Sequence, residues 1–271
     1  MDLRPIGVFD SGLGGLTAVR ELRQILPAEH LIYFGDTARV PYGMRTKEEL
    51  IDFCRQDVNF LRSFDLKAIL IACGTATTAA LPVLQAENDL PIVGVVEPAV
   101  RRALAVSKNK KIGLIATQAS VRSGAYEAML RQLDGEAEMI SLACPKFVPL
   151  IESGHFLPGD EAIESVAREY LVPLKETGID TLILGCTHYP LLTEIVAEIM
   201  GPEVQLVSAG GESAYAVQQL LEEQDLLNQT RCIGETKFFV SGDVEEFTRN
   251  GSVFLQEALD GRVGRIDIEQ Y

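Results

Sequence analysis

Two cysteines are the residues whose type and placement point most directly to chemistry. Cys73 and Cys186 each follow an apolar, strand-like run. Small and hydroxylated residues that could open a helix come after Cys73, and the helix dipole and its free N–H groups favour thiolate, so we expect a lowered pKa for this thiol. His188 lies two residues after Cys186 and can act there as acid, base or hydrogen-bond partner. The alternatives are cysteines that pack as small hydrophobes and a histidine that only packs.

Two thiols of matched acidity suit the inversion of a carbon that carries a weakly acidic C–H. Inversion removes a proton from one face and returns one to the other, so one group starts as thiolate and the other as thiol. The sequence therefore predicts a cofactor-independent amino-acid racemase. A carbanion enzyme such as a decarboxylase is one rival, although it needs only one proton donor. A redox or metal-binding module is another, although close ligand pairs of the C-x₂-C kind do not occur in the sequence.

A glycine-rich segment follows the first apolar run, and it begins with Asp10 and Ser11. Its glycines, at positions 12, 14 and 15, let the backbone approach a ligand and present N–H groups to an anion. The spacing is neither G-x-G-x-x-G nor that of a Walker A loop, so it favours a small anionic ligand over a nucleotide. Asp10 is positioned to tune a thiol, and a helix N-cap is its alternative role.

Short apolar runs alternate along the chain with amphipathic stretches such as Leu16–Ile25, Thr46–Ser63 and Asp160–Thr177. Nearly continuous apolar character is typical of parallel strands that are covered on both faces. The pattern predicts a doubly wound α/β fold, in which ligands bind beyond the carboxyl ends of the strands. The predicted strands are Pro5–Phe9, His30–Gly35, Ala68–Ala72, Ile92–Val96, Lys111–Ala116, Ala137–Ser141, Thr181–Gly185 and Val204–Val207.

The two parts of the chain resemble each other in sequence. The resemblance indicates two structurally similar halves, which would bring the two cysteines to one cleft from opposite sides. General likeness among buried parallel strands is the alternative explanation. The matching segments are 6–11 with 112–117, 39–43 with 147–150, and 70–75 with 183–187.

Composition excludes several classes of protein. The net charge of −15 argues against nucleic acid as a main partner, because phosphate binding needs a basic surface. The five cysteines are an odd number, which argues against a disulfide framework. No apolar run approaches the length of a membrane span, and the N-terminus has no apolar region typical of a signal peptide, so we expect a cytoplasmic protein without membrane contact.

Six motifs resemble those of the glutamate racemases, which belong to the aspartate/glutamate racemase superfamily. The resemblance runs in family order from about residue 5 to about residue 220. It implies interconversion of L- and D-glutamate without a cofactor or metal, which supplies D-glutamate for peptidoglycan synthesis. Members of the family are often homodimers. The motifs are Gly7–Thr17, Phe34–Gly43, Ile71–Thr77, Gly94–Ala99, Phe147–Gly154 and Leu184–Pro190.

The same resemblance implies two similar α/β domains with mainly parallel sheets that face a shared cleft. Residues 1–97 and 209–271 would form the first domain, which carries Cys73, and residues 98–208 would form the second, which carries Cys186. The implied catalytic residues are Cys73, Cys186, Asp10, Glu152 and His188. The implied substrate contacts are Asp10, Ser11, Pro41, Tyr42, Gly43, Cys73, Gly74, Thr75, Thr117, Ser120, Cys186, Thr187 and His188.

Gly74 departs from the family pattern, which usually has asparagine after the first catalytic cysteine. The amide of that asparagine is expected to hydrogen-bond the bound amino acid, whereas glycine offers only its backbone N–H. The loss of such a bond to a charged group costs about 1.5–3 kcal/mol unless water or another residue replaces it. A sibling racemase for aspartate or another amino acid therefore stays open as the alternative.

Overall fold

The computed structural model describes residues 2–259 and 261–271 of the chain. Its strands form one sheet of six and one of four, and every strand pairing is parallel. The larger sheet has the order β10-β9-β2-β1-β3-β4. Its strands are β1 (Ile6–Asp10), β2 (Leu31–Gly35), β3 (Ala68–Ile71), β4 (Ile92–Gly94), β9 (Thr236–Val240) and β10 (Val263–Arg265).

The smaller sheet has the order β6-β5-β7-β8, which repeats the order β2-β1-β3-β4 of the larger sheet. The internal resemblance of the sequence therefore reflects two halves of like topology, as predicted. Because β3 and β7 take the same place in their sheets, the cysteines that follow them occupy equivalent positions. The strands of this sheet are β5 (Lys111–Ala116), β6 (Glu138–Ala143), β7 (Thr181–Leu184) and β8 (Gln205–Ser208).

Helices connect the strands of both sheets. Those of the first half are α1 (Leu16–Ile25), α2 (Lys47–Leu61), α3 (Gly74–Glu87), α10 (Ala209–Glu223) and α11 (Val244–Leu255). Those between β4 and β8 are α4 (Val96–Val106), α5 (Gln118–Ser123), α6 (Ala125–Leu133), α7 (Phe147–Glu152), α8 (Glu161–Glu176) and α9 (Thr193–Met200). Single 3₁₀ turns lie at Tyr42–Met44, Tyr189–Leu192 and Ile268–Gln270.

Alternation along the central strands supplies a core on each face of each sheet. In β1, Ile6 and Val8 pack into a buried cluster that includes Leu16 of α1. Phe9 points the other way, into a cluster that includes Val58 of α2. Successive side chains of a strand face opposite sides, so a strand buried on both faces must be apolar throughout. The fold class read from these runs, two similar α/β units with parallel sheets, is confirmed.

The boundaries show where the sequence pattern was misleading. The predicted strand Ile92–Val96 ends at Gly94, and Val96 is the first residue of α4. The strands β9 and β10 were not predicted, although they complete the larger sheet from the C-terminal part of the chain. That completion accords with a first domain in two segments, while the boundaries at 97/98 and 208/209 stay a prediction. Within the described ranges, no helix is long and apolar enough to cross a membrane.

Candidate active site

The carboxyl ends of β3 and β7 open onto one cavity of about 500 Å³. Both Cys73 and Cys186 line it, so the structure brings the two thiols to one site. Open α/β sheets bind ligands at this edge of the strands. Of the predicted residues, those that line the cavity are Ser11, Pro41, Tyr42, Gly43, Cys73, Gly74, Thr75, Thr117, Glu152, Cys186, Thr187 and His188.

Cys73 is the N-cap residue of α3, as the small and hydroxylated residues after it indicated. Its sulfur accepts the N–H of Ala76 at 3.4 Å, and its S–H donates to the hydroxyl of Ser11 at 3.6 Å. The thiol is almost wholly buried, with 6% of the residue exposed. Because the N-cap position fixes the backbone of Cys73, its sulfur is held at the start of the helix and faces the cavity.

The predicted lowering of the pKa of Cys73 is wrong. Burial raises the pKa of this thiol to about 12, and the charge of nearby Asp10 acts in the same direction. The N–H of Ala76 and the hydroxyl of Ser11 favour the thiolate, but their effect is smaller. Desolvation of a charged sulfur outweighs the helix N-terminus here, because the thiol lies in the interior rather than at a solvated helix end. Burial therefore favours the protonated form of Cys73 at neutral pH.

Cys186 has a different neighbour, the imidazole of His188. The Cys186 sulfur lies 3.8 Å from Nδ1 of His188, and Nε2 of the same ring lies 3.0 Å from Oε1 of Glu152. Burial alone would lower the pKa of His188, but the hydrogen bonds and charges of Cys186 and Glu152 raise it to about 10. A protonated imidazole next to the sulfur stabilises negative charge on Cys186. Cys186, His188 and the partly exposed Glu152 carboxylate are thus joined by two contacts, and all three residues line the cavity.

Asp10 lies behind the cavity wall rather than in it. It is fully buried, and its carboxylate accepts the N–H of Gly12 at 2.9 Å and the hydroxyl of Thr187 at 3.3 Å. Burial raises the pKa of Asp10, whereas the charge of His188 lowers it. The alternative role as a helix N-cap is wrong, because Gly15 caps α1 without a side-chain bond. Asp10 instead links the glycine-rich segment of the first half to the Cys186 segment of the second.

A chain of hydroxyl groups crosses the cavity wall between the halves. Oγ1 of Thr75 lies 3.0 Å from Oγ1 of Thr117, which in turn lies 3.0 Å from Oγ of Ser120. Ser120 is fully buried, does not line the cavity and has its hydroxyl next to that of Thr117, and its contact with substrate stays a prediction. Thr75 belongs to α3 and Thr117 caps α5, so the two halves share one polar wall.

A buried charge cluster holds the cavity wall around Tyr42. The Tyr42 hydroxyl is hydrogen-bonded to Asp36 and lies 3.1 Å from Oδ2 of Asp57. The Arg39 guanidinium lies 2.6 Å from Asp36 and 2.9 Å from Asp57. Burial raises the pKa of Asp57, and the charge of Asp36 adds to this effect. Because the Tyr42 hydroxyl is hydrogen-bonded to these carboxylates, this turn can offer a ligand in the cavity only the Tyr42 ring and the backbone.

Several cavity residues were not predicted as site residues. Cys144 and Pro145 come from the segment between β6 and α7, Val148 lies in α7, and Met44 and Gln118 also line the cavity. They carry no reactive pattern in sequence, and only the fold brings them to the cavity. Among the described residues, no group of three or more His, Cys, Asp and Glu side chains is placed to hold a metal ion.

A second cavity of about 300 Å³ adjoins the first, and Thr75 lines both. Its wall carries three cationic side chains: Arg45 and Lys47 from the first half and Arg122 from the second. The described residues that line this cavity include no carboxylate. On a chain with a net charge of −15, the wall of this second cavity thus carries a local excess of positive charge.

Known proteins resemble this chain over its full length. Residues 6–214 match the Asp/Glu/Hydantoin racemase family. A glutamate racemase from a Thermoanaerobacter species is 45% identical over 271 residues, which cover 100% of both chains. The crystal structure of a glutamate racemase isoform from Bacillus anthracis superimposes with a TM-score of 0.93 at 36% identity, covering 98% of each chain.

A second solved structure shows a ligand in such a fold. It is the glutamate racemase of Francisella tularensis in complex with D-glutamate, with a TM-score of 0.91 at 36% identity and coverage of 100% of each chain. These similarities confirm the resemblance that the six motifs carry. The chain belongs to the Asp/Glu/hydantoin racemase family.

Proposed function

We propose that this protein interconverts L- and D-glutamate by proton transfer between the α-carbon and the thiols of Cys73 and Cys186. The observation that carries the proposal is the pair of thiols on one cavity, each at the end of an equivalent strand in one of two facing halves. The full-length relatives named glutamate racemase, and the D-glutamate complex of one of them, support glutamate as the substrate.

The reaction needs one thiolate and one thiol in the resting enzyme. The thiolate takes the α-proton and becomes S–H, and the electron pair left on the α-carbon takes a proton from the opposite thiol, which becomes thiolate. The enzyme then holds the same number of protons, in the opposite arrangement. His188 stabilises the charge when it is on Cys186, and burial favours the protonated form of Cys73.

The other predicted residues take supporting roles in this proposal. Ser11, Thr75 and Thr187 offer hydroxyls to the substrate, and Pro41, Tyr42 and Gly43 offer backbone and ring surface. Asp10 and Ser120 act through neighbours, since neither lines the cavity. Glu152 acts through His188, to which it is hydrogen-bonded.

The decisive experiment follows inversion and solvent-deuterium exchange of each glutamate enantiomer. We expect the natural protein to invert both, and Cys73→Ser and Cys186→Ser to lose inversion by at least about 10³-fold, since each removes an acid/base group. The equilibrium constant of racemisation is one, so kcat/KM must fall equally in both directions. The asymmetry between the two variants is therefore read from exchange into unconverted substrate. Undiminished turnover in either variant would remove that cysteine from the mechanism.

The same assay with aspartate tests the sibling-racemase alternative. We expect kcat/KM for glutamate to exceed that for aspartate by about tenfold or more, because one methylene in a shaped pocket is worth about 1–3 kcal/mol. Equal or faster inversion of aspartate would reassign the substrate, while the two-thiol chemistry would stand.

We further propose that the enzyme acts without cofactor or metal, in the cytoplasm, and as a homodimer. The product D-glutamate would serve peptidoglycan synthesis. The family resemblance supports these points, and the net charge of −15 argues against nucleic acid as a partner. Full activity of protein that has been dialysed against a chelator, together with its mass in light scattering, would test cofactor independence and assembly.

A further inference from the structure

Two glycines of the first half touch the second half on either side of Cys186. A Cβ atom at Gly74 would lie only 2.7 Å from the carbonyl oxygen of Gly185, the residue before Cys186. A Cβ atom at Gly14 would overlap Thr187, the residue after Cys186, and would lie 2.6 Å from Nδ1 of His188. The backbone around this cysteine is therefore seated against two positions of the first half that have no side chain.

The backbone on each side of the contact between Gly74 and Gly185 is held in place and cannot shift easily. The N–H of Gly185 donates to the carbonyl of Ile115 at 2.8 Å, which ties this backbone to the central strand β5. A Cβ at Gly185 would itself lie 2.7 Å from Leu114 and 3.1 Å from the carbonyl oxygen of Ile115, so no space lies behind it. On the opposite side, Gly74 is the first residue of α3, and the N–H of Thr77 donates to the carbonyl of Cys73 at 2.9 Å. The contact joins two backbones that are held by regular structure.

Two hydrogen bonds connect Thr187, the residue after Cys186, to the first half. The hydroxyl of Thr17 in α1 donates to the carbonyl of Thr187 at 3.0 Å, and it also lies 2.9 Å from the carbonyl of Gly14. The hydroxyl of Thr187 donates to the carboxylate of Asp10 at 3.3 Å. The hydrogen bonds hold the backbone around Cys186 against the first half, and the two glycines determine how closely the two backbones approach each other.

We infer that Gly14 and Gly74 are positioning residues, which fix the Cys186 thiol relative to the Cys73 thiol across the cavity. The inference rests on the proposed function, because the separation of the thiols matters only if both act on one carbon. Gly74 directly follows Cys73, and it contacts the residue that directly precedes Cys186. A change at this contact is therefore transmitted to both sulfur atoms over a single residue on each side.

The geometry also gives Gly74 a role of its own. Read from the sequence, glycine here is the loss of an amide that would bind the substrate. In the structure, the carbonyl oxygen of Gly185 lies 2.7 Å from the position that the Cβ atom of any larger residue would take. The absence of a side chain is thus a condition of the close approach between the halves.

The test compares Gly74→Ala with Gly135→Ala. Both add one methyl group, but in the described structure nothing lies within 4 Å of a Cβ built at Gly135. We expect Gly74→Ala to lower kcat about 100-fold, the effect of misplacing a reacting group by roughly 1 Å, with a smaller change in KM. Gly135→Ala should keep the kcat of the natural protein.

The distinguishing measurement is the ratio of deuterium exchange to inversion. When the opposite thiol is displaced, the carbanion is recaptured by the thiol that took its proton, after this thiol has exchanged with deuterated solvent. We expect the ratio for at least one enantiomer to rise about tenfold or more in Gly74→Ala. A ratio equal to that of the natural protein, or an unchanged kcat, would overturn the inference.

A second variant keeps the inference testable if Gly74→Ala fails to fold. Thr17→Ala removes the hydroxyl that tethers Thr187 and adds no atom, so it introduces no clash. It should raise the same ratio in the same direction by a smaller factor, and no change would count against the inference. The natural protein serves as the reference throughout. If it does not invert glutamate, the proposed function fails; if it inverts and the variants match it, only the positioning role fails.

Discussion

Cys73 and Cys186 follow equivalent strands of two similarly ordered sheets, yet the groups around their sulfur atoms differ. Cys73 contacts a hydroxyl and a backbone N–H, beside the buried carboxylate of Asp10. Cys186 contacts the imidazole of His188, which is backed by the carboxylate of Glu152. One sulfur lies near the carboxylate of Asp10, and the other lies next to an imidazole whose pKa is raised to about 10.

Comparison of the two cysteines shows which features come from the repeated fold and which come from the neighbouring side chains. The repeated strand order brings both thiols to one cavity, whereas the neighbouring side chains give each sulfur a different electrostatic environment. A two-base racemase needs one thiol and one thiolate in its resting state, since two thiols or two thiolates would be inactive, and the two groups exchange these forms in each turnover. Burial and Asp10 favour the protonated form of Cys73, whereas a protonated His188 lies beside Cys186 and stabilises negative charge near it.

The largest expected effect comes from removing the imidazole that distinguishes the surroundings of Cys186 from those of Cys73. In His188→Asn the imidazole beside Cys186 is gone, and we expect kcat/KM to fall by about 10²–10⁴-fold, the range for an acid/base group. His155→Asn is the matched control, since His155 pairs with Asp160 at 2.8 Å and does not line the cavity. Equal activity of the two variants would show that His188 only packs.

A smaller loss is expected when the carboxylate behind the imidazole is neutralised. Glu152 raises the pKa of His188, so Glu152→Gln should lower that pKa and move the alkaline fall of activity to lower pH. The loss at neutral pH should stay within about tenfold, because the carboxylate is 44% exposed and solvent screens it. Glu176→Gln, on the surface of α8, is the control. If the dependence of activity on pH is not shifted in Glu152→Gln, then Glu152 does not act on His188.

The dependence of the melting temperature on pH should show the raised pKa of His188 in the absence of substrate. The pKa of His188 is raised from 6.5 to about 10 in the folded state, so its contribution to stability is complete below pH 6.5. The contribution declines as the pH rises and is lost as the pH passes about 10. Between these limits, the melting temperature of the natural protein should fall by roughly 3 °C or more relative to His188→Asn. Parallel curves for the two proteins would contradict a proton held on His188.

The smallest effect is expected at the cationic cavity, to which both halves contribute. Removing Lys47 and Arg122 together should raise KM for glutamate roughly two- to threefold at low ionic strength, by weakening the attraction of an anionic substrate. The difference should vanish near 1 M salt, where the Debye length is about 3 Å. Lys108→Ala with Arg131→Ala makes the same change in net charge elsewhere. A matching rise in KM in that control would assign the effect to overall charge.

The sequence predicted most of what depends on strand and motif. Continuous apolar runs marked the buried strands, and the internal resemblance placed Cys73 and Cys186 at equivalent points. The pattern failed at β9 and β10, because Lys237 interrupts the first and the second has only three residues. A short or half-covered strand lacks the apolar run that identifies a buried one.

The chemistry of individual site residues was harder to predict. The helix N-terminus at Cys73 is visible in sequence, but the burial that outweighs it is a property of the assembled halves. Gly14 and Thr17 carry no chemical signal, and their contacts with Thr187 exist only because two distant segments meet. Glu152 was found through its motif, whereas its distance from His188 comes from the fold alone.

The place of β9 in the larger sheet also bears on the order in which the chain is assembled. β9 pairs with β2, yet about 200 residues are synthesised between them. The strands of the smaller sheet all lie between Lys111 and Ser208, so they leave the ribosome together. Until residues 236–240 emerge, β2 has an open edge that can pair with another chain. The sheet of the half that carries Cys186 can thus be completed once Ser208 has emerged, while the sheet of the half that carries Cys73 must wait for β9 and β10.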